Sequence, residues 1–206
     1  MPSVDVFRGL GLFVVERFCS EREYLECQAA MQGSALEYGS VRTEGSVEKI
    51  ERSRRNVQIA AVPSGLKSSL GVKVGGLRPT LETHFGVRLD GCESLQFLTY
   101  SPGHFYGPHT DSTDDAEAPA LIRRRKVSVV IFVNASCVAG DANGYDGGEL
   151  VFYGLIKAPR FSACGLPLEA QAGMLIAFPA DVVHEVRPVI LGHRLTIATW
   201  FAVARD

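Results

Sequence analysis

His109, Thr110 and Asp111 set an imidazole and a carboxylate two residues apart. On an extended strand residues i and i+2 leave the same face, so the two side chains can converge on one metal ion. An H-x-D triplet alone is a weak signal, because such pairs also occur on plain surfaces. A third donor is available in His184, within the apolar run Val182-Val183-His184-Glu185-Val186. A lone histidine on such a strand is ordinarily a hydrogen-bonded core residue, but two histidines and one carboxylate with positions left open form the donor set of non-haem Fe(II) centres. The same set serves Zn2+, so donor types alone leave a hydrolytic zinc site in contention.

Ten residues after His184, Arg194 opens the run Arg194-Leu195-Thr196-Ile197-Ala198-Thr199-Trp200-Phe201, in which Arg194, Thr196, Ala198 and Trp200 share one face. An arginine facing inward needs an anion, since an unpaired buried charge is costly. The sequence offers no obvious fixed carboxylate for it. A bound dicarboxylate would answer the need, gripped by the planar guanidinium and by the Thr196 hydroxyl. The plainer reading is a strand-end arginine in solvent or paired with Glu185.

Several elements must position these groups. From Ser20 to about Tyr38 the pattern is loosely helical, opened by Ser20 with Glu23 three residues on, a capping-box signature. Residues 39–56 are polar and read as a surface loop leading to a short strand at Val57–Val62, and a second helical stretch broken at Gly75-Gly76 occupies much of 63–86. After Asp90 the period shortens to that of strands: Leu95–Tyr100, Gly107–Asp111, Val127–Val133, Glu149–Tyr153, Leu168–Ala172, Met174–Phe178, His184–Val189 and Arg194–Val203. Eight such runs predict a jelly roll, mainly β, with the N-terminal helices packed on one outer face. Polar inserts at 112–126 and 134–147 interrupt the series, and loops of that length are usually functional. No linker or repeat divides the chain, so 1–206 reads as one domain, with 1–90 a helical and strand support region and 91–206 the core.

With 206 residues the chain can bury roughly 70% of its unfolded surface in one core. A formal charge of −2 gives no electrostatic case for nucleic acid. Five widely spaced cysteines, Cys19, Cys27, Cys92, Cys137 and Cys164, form neither a zinc ribbon nor a disulfide framework and fit reduced thiols in a cytoplasm. The apolar run Phe7–Val15 is too short to span a membrane and lacks the features of a signal peptide, so no membrane association is expected.

Four segments together carry a resemblance: Tyr100-Ser101-Pro102-Gly103-His104-Phe105-Tyr106-Gly107-Pro108-His109-Thr110-Asp111, Tyr145-Asp146-Gly147-Gly148-Glu149-Leu150, Gly173–Pro179, and His184-Glu185-Val186 with Pro188, Val189, Gly192 and Arg194. In order and spacing over about residues 95 to 202 they resemble the prolyl 4-hydroxylase-like branch of the Fe(II)/2-oxoglutarate dioxygenases. The resemblance implies a double-stranded β-helix with iron held by His109, Asp111 and His184. It implies Arg194 and Thr196 on the far carboxylate of 2-oxoglutarate, Tyr100 donating a hydroxyl to that co-substrate and Trp200 walling the pocket. Fe(II), 2-oxoglutarate, O2 and ascorbate as accessory reductant follow, with a peptidyl or small-molecule substrate hydroxylated at an unactivated C–H bond and succinate and CO2 released. Halogenating relatives lack the carboxylate ligand that Asp111 provides here. One departure is Phe132, where relatives often carry tyrosine on the third core strand.

The run Arg123-Arg124-Arg125-Lys126 follows the acids Asp114, Asp115 and Glu117 and reads as a self-compensating solvated flap, or as a lid bringing charge to a carboxylate-bearing substrate. Arg125, where relatives place an arginine leading into the third strand, is the candidate substrate contact. Asp141, Asn143 and Asp146 form a turn-rich segment without the spacing of a Ca2+ loop. A metal-bearing jelly-roll module that binds without turnover remains the alternative from another class, and a dicarboxylate clamp beside the ion argues against it.

Overall fold

Alternation along Arg194–Val203 organises the molecule in a computed structural model that describes residues 2–39, 41, 42, 48, 49, 51–136, 144–161 and 163–204. Leu195, Ile197 and Phe201 join one apolar cluster, while Ala198 and Trp200 join another, so this strand is buried on both faces along nearly all its length. The expectations for Cys137, Asp141, Asn143 and residues 43–47 lie outside the described residues.

In chain order the first part carries α1 (Val4–Gly9), β1 (Phe13–Val15), α2 (Glu21–Gln32), β2 (Leu36–Tyr38), β3 (Val41–Arg42), β4 (Glu48–Lys49), β5 (Arg55–Asn56), β6 (Gln58–Ala60), α3 (Ser64–Gly75) and α4 (Arg78–Phe85). The second part carries β7 (Leu89–Cys92), β8 (Gln96–Tyr100), β9 (Phe105–His109), α5 (Ala120–Arg123), β10 (Arg125–Phe132), β11 (Tyr145–Gly147), β12 (Leu150–Phe152), β13 (Leu166–Leu168), β14 (Leu175–Pro179), β15 (His184–Val186), β16 (Val189–Gly192) and β17 (Arg194–Val203). An eight-stranded sheet runs β1-β14-β10-β17-β8-β6-β2, with β7 also on β17, and a five-stranded sheet runs β13-β12-β15-β9-β5. Strand pairing within both sheets is antiparallel, as the series of short strands separated by turns predicts. The sheets face one another as a double-stranded β-helix and are not joined into a closed barrel.

Two layers of apolar side chains hold this arrangement. Leu98, Phe132, Ile176, Phe178 and Trp200 of the larger sheet meet Leu150, Phe152 and Val186 of the smaller one. On the opposite face Phe97, Val127, Val129, Ile131, Leu195 and Phe201 receive Cys27 and Met31 of α2, Leu70 and Val74 of α3 and Leu81 of α4. Each large side chain buried this way stabilises by roughly 1.5–3 kcal/mol against the cost of ordering the chain. The helices therefore brace the sheet from behind, and the face turned toward the smaller sheet is left for the site.

The capping box forms as expected. The Glu23 N–H donates to Ser20 Oγ at 3.4 Å, and the Ser20 N–H donates to Glu23 Oε2 at 2.8 Å. Glu23 also accepts from Lys73 Nζ of α3 at 2.6 and 2.7 Å. Hydrogen bonds from Lys73, then those from Ser20, pull the Glu23 carboxyl down to about 2. Its stabilisation is therefore present above the ordinary carboxyl range and lost as pH falls through about 2. Because the Glu23 side chain is 38% exposed, solvent screening limits the ion pair to well under its unscreened worth. With the cap included, Glu23→Ala is expected to cost about 1–1.5 kcal/mol, or roughly 2–5 °C in thermal midpoint. The gap should shrink as pH falls from 4.5 through about 2; a gap as large at pH 2 as at pH 7 would contradict this linkage.

Several boundaries differ from the sequence expectation. α2 stops at Gln32, with Gly33 as its C-cap, and Leu36–Tyr38 instead pairs with Gln58–Ala60 at the edge of the larger sheet. The run at His184–Val189 divides into β15 and β16 around Pro188, which has no N–H for a ladder. The strand expected at Leu168–Ala172 lies at Leu166–Leu168, where Pro167 is tolerated because β13 is an edge strand. The insert 112–126 contains α5 and the first residues of β10, and the insert 134–147 contains β11.

Candidate active site

His109 ends β9 and His184 begins β15, and the two are direct partners in the antiparallel register. Their rings stand 4.2 Å apart, centroid to centroid. Asp111 lies past the end of its strand, so the pleat does not aim it. Instead its N–H and that of Ser112 donate to the Ala180 carbonyl at 2.8 and 3.0 Å, which curls the chain back toward the histidines. Asp111 Oδ1 lies 3.8 Å from His109 Nε2, and its Oδ2 lies 3.5 Å from His184 Nε2. The candidate ligand atoms of the three residues all fall within 4.8 Å of one another.

The tautomers follow from the backbone. His109 Nδ1 bonds the Gly107 carbonyl at 2.8 Å and His184 Nδ1 bonds the Val182 carbonyl at 2.9 Å. A carbonyl only accepts, so each Nδ1 carries the proton and each Nε2 is left to present a lone pair. Burial, followed by the proximity of His184, pushes the His109 imidazole down to about 3, which keeps it neutral. Burial alone would raise the Asp111 carboxyl, but His184, His109, Ser128 and the Trp200 indole outweigh it and hold the group below its ordinary range. The Ser128 hydroxyl donates to Asp111 Oδ2 at 2.6 Å. Tyr106 stacks on His109 at 3.5 Å with the rings 12° apart, and Phe178 meets His184 edge-on at 4.8 Å. Each imidazole is thus held by a backbone hydrogen bond and by aromatic packing.

The same cavity contains Arg194, Thr196, Tyr100 and Trp200, together with Leu98, Leu150, Val186 and Ala198 as apolar wall. Arg194 is 1% exposed, and its Nη1 donates to Thr196 Oγ1 at 3.1 Å. Its Nε is buried with no hydrogen-bond partner, and among the described residues it makes no ion pair. The rings of Tyr100 and Phe132 lie 5.0 and 5.4 Å from the guanidinium carbon. A buried cation with an unused donor is costly unless an anion completes it, so these residues fit a carboxylate ligand. Burial pushes the Tyr100 hydroxyl up, leaving it a protonated donor beside Arg194.

Gly148 makes room for this arginine. It adopts a left-handed φ of 62°, and a Cβ there would stand 2.9 Å from Val189 Cγ2 and 3.1 Å from Arg194 Cδ. Gly148→Ala should therefore displace the Arg194 stem and raise the KM for an anionic co-substrate on the order of tenfold or more, since ångström misplacements are expensive. An unchanged KM in a folded variant would show that the stem can yield without loss.

The structure brings His109, Asp111, His184, Arg194, Thr196, Tyr100 and Trp200, all expected at the site from sequence, to one cavity. Arg125 stands apart from that group: it is paired with Glu93 and reaches the site through the Asp111 carbonyl, 3.5 Å away. Arg124 bonds Asp90 at 3.1 Å, so these two basic residues are tied to acids outside their own segment. Arg55, Tyr106 and Ser128 were not singled out, yet Arg55 and Tyr106 line the cavity and Ser128 holds Asp111. A signal existed for Ser128, the polar residue within the apolar run Val127–Val133. Arg55 gave none, because β5 is only two residues long.

Comparison with known proteins agrees with this arrangement. A sequence model described as "2OG-Fe(II) oxygenase superfamily" matches residues 95–202, just over half of the chain. A PKHD-type hydroxylase of Picosynechococcus sp. is 34% identical over 116 residues, covering 55% of this chain and 44% of its own length. Another, from Maricaulis maris, is 25% identical over 175 residues, covering 82% of this chain and 67% of its own length. The chain spans about half the length of several curated relatives it matches. In fold it is similar to a prolyl-4-hydroxylase of Pseudomonas putida, with a TM-score of 0.70 at 23% identity over 98% of this chain and 97% of that one. A prolyl hydroxylase from Trichoplax adhaerens, solved with a peptide fragment of the hypoxia inducible factor oxygen degradation domain, gives a TM-score of 0.71 at 19% identity over 97% and 87%. By the match over residues 95–202, which spans every residue of the His–Asp–His cluster and the buried arginine, the chain belongs to the 2OG-Fe(II) oxygenase superfamily.

Proposed function

We propose that the protein is an Fe(II)- and 2-oxoglutarate-dependent hydroxylase acting on a C–H bond of a prolyl or other amino-acid residue, or of a small molecule. The observation that carries this reading is the sharing of one cavity by a His–Asp–His cluster and a buried arginine whose Nε has no partner. A metal-binding module without turnover has no reason to bury such an arginine beside its ion, and a zinc hydrolase is separated by metal dependence, since redox-inert Zn2+ cannot support oxidative turnover.

In this reading His109 and His184 offer their Nε2 lone pairs and Asp111 its carboxylate to Fe(II). Arg194 and Thr196 receive the far carboxylate of 2-oxoglutarate, with the planar guanidinium giving two parallel bonds. Tyr100 donates its hydroxyl nearby, and Trp200 closes the wall beside Asp111. The apolar side chains of Leu98, Leu150, Val186 and Ala198 keep water from competing for these donors. When bound, Fe(II) with 2-oxoglutarate supplies the oxidising chemistry, in which O2 is divided between succinate, formed with loss of CO2, and the hydroxylated substrate. Ascorbate is included as accessory reductant. The thiols, of which Cys19, Cys27, Cys92 and Cys164 are free, suit a reducing cytoplasm.

The test is succinate formation from 2-oxoglutarate, scanned across prolyl peptides, free amino acids and small metabolites. Turnover that requires Fe(II), fails with Zn2+ and rises with one substrate class supports the reading. Metal binding with no succinate under any substrate would favour the module without turnover.

A further inference from the structure

We propose that Glu93 and Arg125 act as a positioning pair that holds both the Trp200 ring and the Asp111 turn in the orientation a bound metal requires. The proposal rests on the iron reading above. It starts from a local irregularity in β10. Arg125 faces Ala202 on β17 while Val127 faces Phe201, so the register shifts between them. Strict alternation would send Arg125 into the helical layer with Val127 and Val129. The irregularity re-aims it, as bulges beside active sites do, and its guanidinium lies 3.7 Å over the Trp200 ring.

Glu93 fixes that guanidinium with a two-pronged grip. Arg125 Nε donates to Oε1 at 2.6 Å and Nη2 donates to Oε2 at 2.7 Å, with the two side chains 13% and 14% exposed. Glu93 is itself tied to the strand that carries Trp200. Its N–H donates to the Trp200 carbonyl at 2.8 Å, and its own carbonyl accepts from Thr199 Oγ1 at 2.7 Å. The indole is therefore held by its backbone at Glu93 and by its ring face at Arg125. Trp200 is the register partner of Ser128, whose hydroxyl grips the Asp111 carboxylate at 2.6 Å, and Arg125 Nη1 donates to the Asp111 carbonyl at 3.5 Å.

Burying an ion pair seldom adds net stability over an apolar pair of the same shape. This one is built so that its forked geometry ends on a candidate metal ligand, and outer partners of ligating groups tune metal affinity by about 10- to 100-fold. The pair is thus placed to set metal affinity, and its effect on stability is secondary.

The experiment uses Mn(II) as probe on the full chain, with thermal midpoint and the emission of Trp200, the only tryptophan in the sequence, as parallel readouts. Arg125→Met alone strands the Glu93 charge, so the test variant is the double change Glu93→Gln with Arg125→Met, which removes both charges. Arg125→Lys keeps a cation but gives up the planar fork and face. The expected result is Mn(II) binding weakened by about 10- to 100-fold in the double variant and by less in Arg125→Lys, with shifted Trp200 emission and a nearly unchanged midpoint. Folded variants that bind Mn(II) like the wild type would overturn the proposal and leave the iron reading standing. A wild type that binds no Mn(II) would overturn both. Should the double variant not fold, Arg125→Lys decides between the same outcomes.

Discussion

Asp111→Ala, His109→Ala and His184→Ala are each expected to abolish succinate formation, by about a thousandfold or more, while the circular dichroism of the folded chain persists. The size follows from several kcal/mol of stabilisation supplied at the metal, at about 1.4 kcal/mol per tenfold. Persistence of the fold follows from where the residues sit. They lie at the end of β9, in the turn after it and at the start of β15, while the two apolar layers are built by other side chains. His184 is the most buried of the three and packs on Phe178, so its removal should lower the thermal midpoint most. Full activity in any one variant would remove that residue from the ligand set.

The second large effect belongs to Arg194. If its guanidinium pairs with the distal carboxylate of 2-oxoglutarate, truncation leaves that carboxylate desolvated, a loss of roughly 2–5 kcal/mol. The Kd for 2-oxoglutarate in Arg194→Ala should then rise by about 30-fold to several thousandfold. Metal binding should change little, because Arg194 touches Thr196 and the rings of Tyr100 and Phe132, none of them in the His–Asp–His cluster. Arg194→Lys keeps the charge without the fork and should fall between the two, with part of its rate restored by excess 2-oxoglutarate. A Kd unchanged in Arg194→Ala would sink the clamp assignment.

The cavity was legible in the sequence largely because of β17. Its period of two, over an apolar run, announces which residues share a face, and Arg194, Thr196, Ala198 and Trp200 all line the same cavity. The capping box at Ser20 and Glu23 was legible for the same kind of reason, since both partners lie within one turn. Features set by distant pairing were not. Leu36–Tyr38 continues a helical pattern, yet pairing with Gln58–Ala60 decides its conformation. Asp111 reaches the histidines through a turn bonded to Ala180, a partner no periodicity reveals. The grip of Glu93 on Arg125 joins residues 32 positions apart, and the register shift that aims Arg125 leaves no mark on the local pattern.

The most direct measurement of the central claim is the visible absorption of the protein with Fe(II) and 2-oxoglutarate under anaerobic conditions. A 2-oxo acid chelated to Fe(II) in the site should give a weak charge-transfer band that saturates with 2-oxoglutarate. The band is expected for the wild type, is absent when Zn2+ replaces Fe(II), is absent in Asp111→Ala, and titrates at higher 2-oxoglutarate in Arg194→Ala. A wild-type protein that binds Fe(II) and shows no band at saturating 2-oxoglutarate would contradict the account.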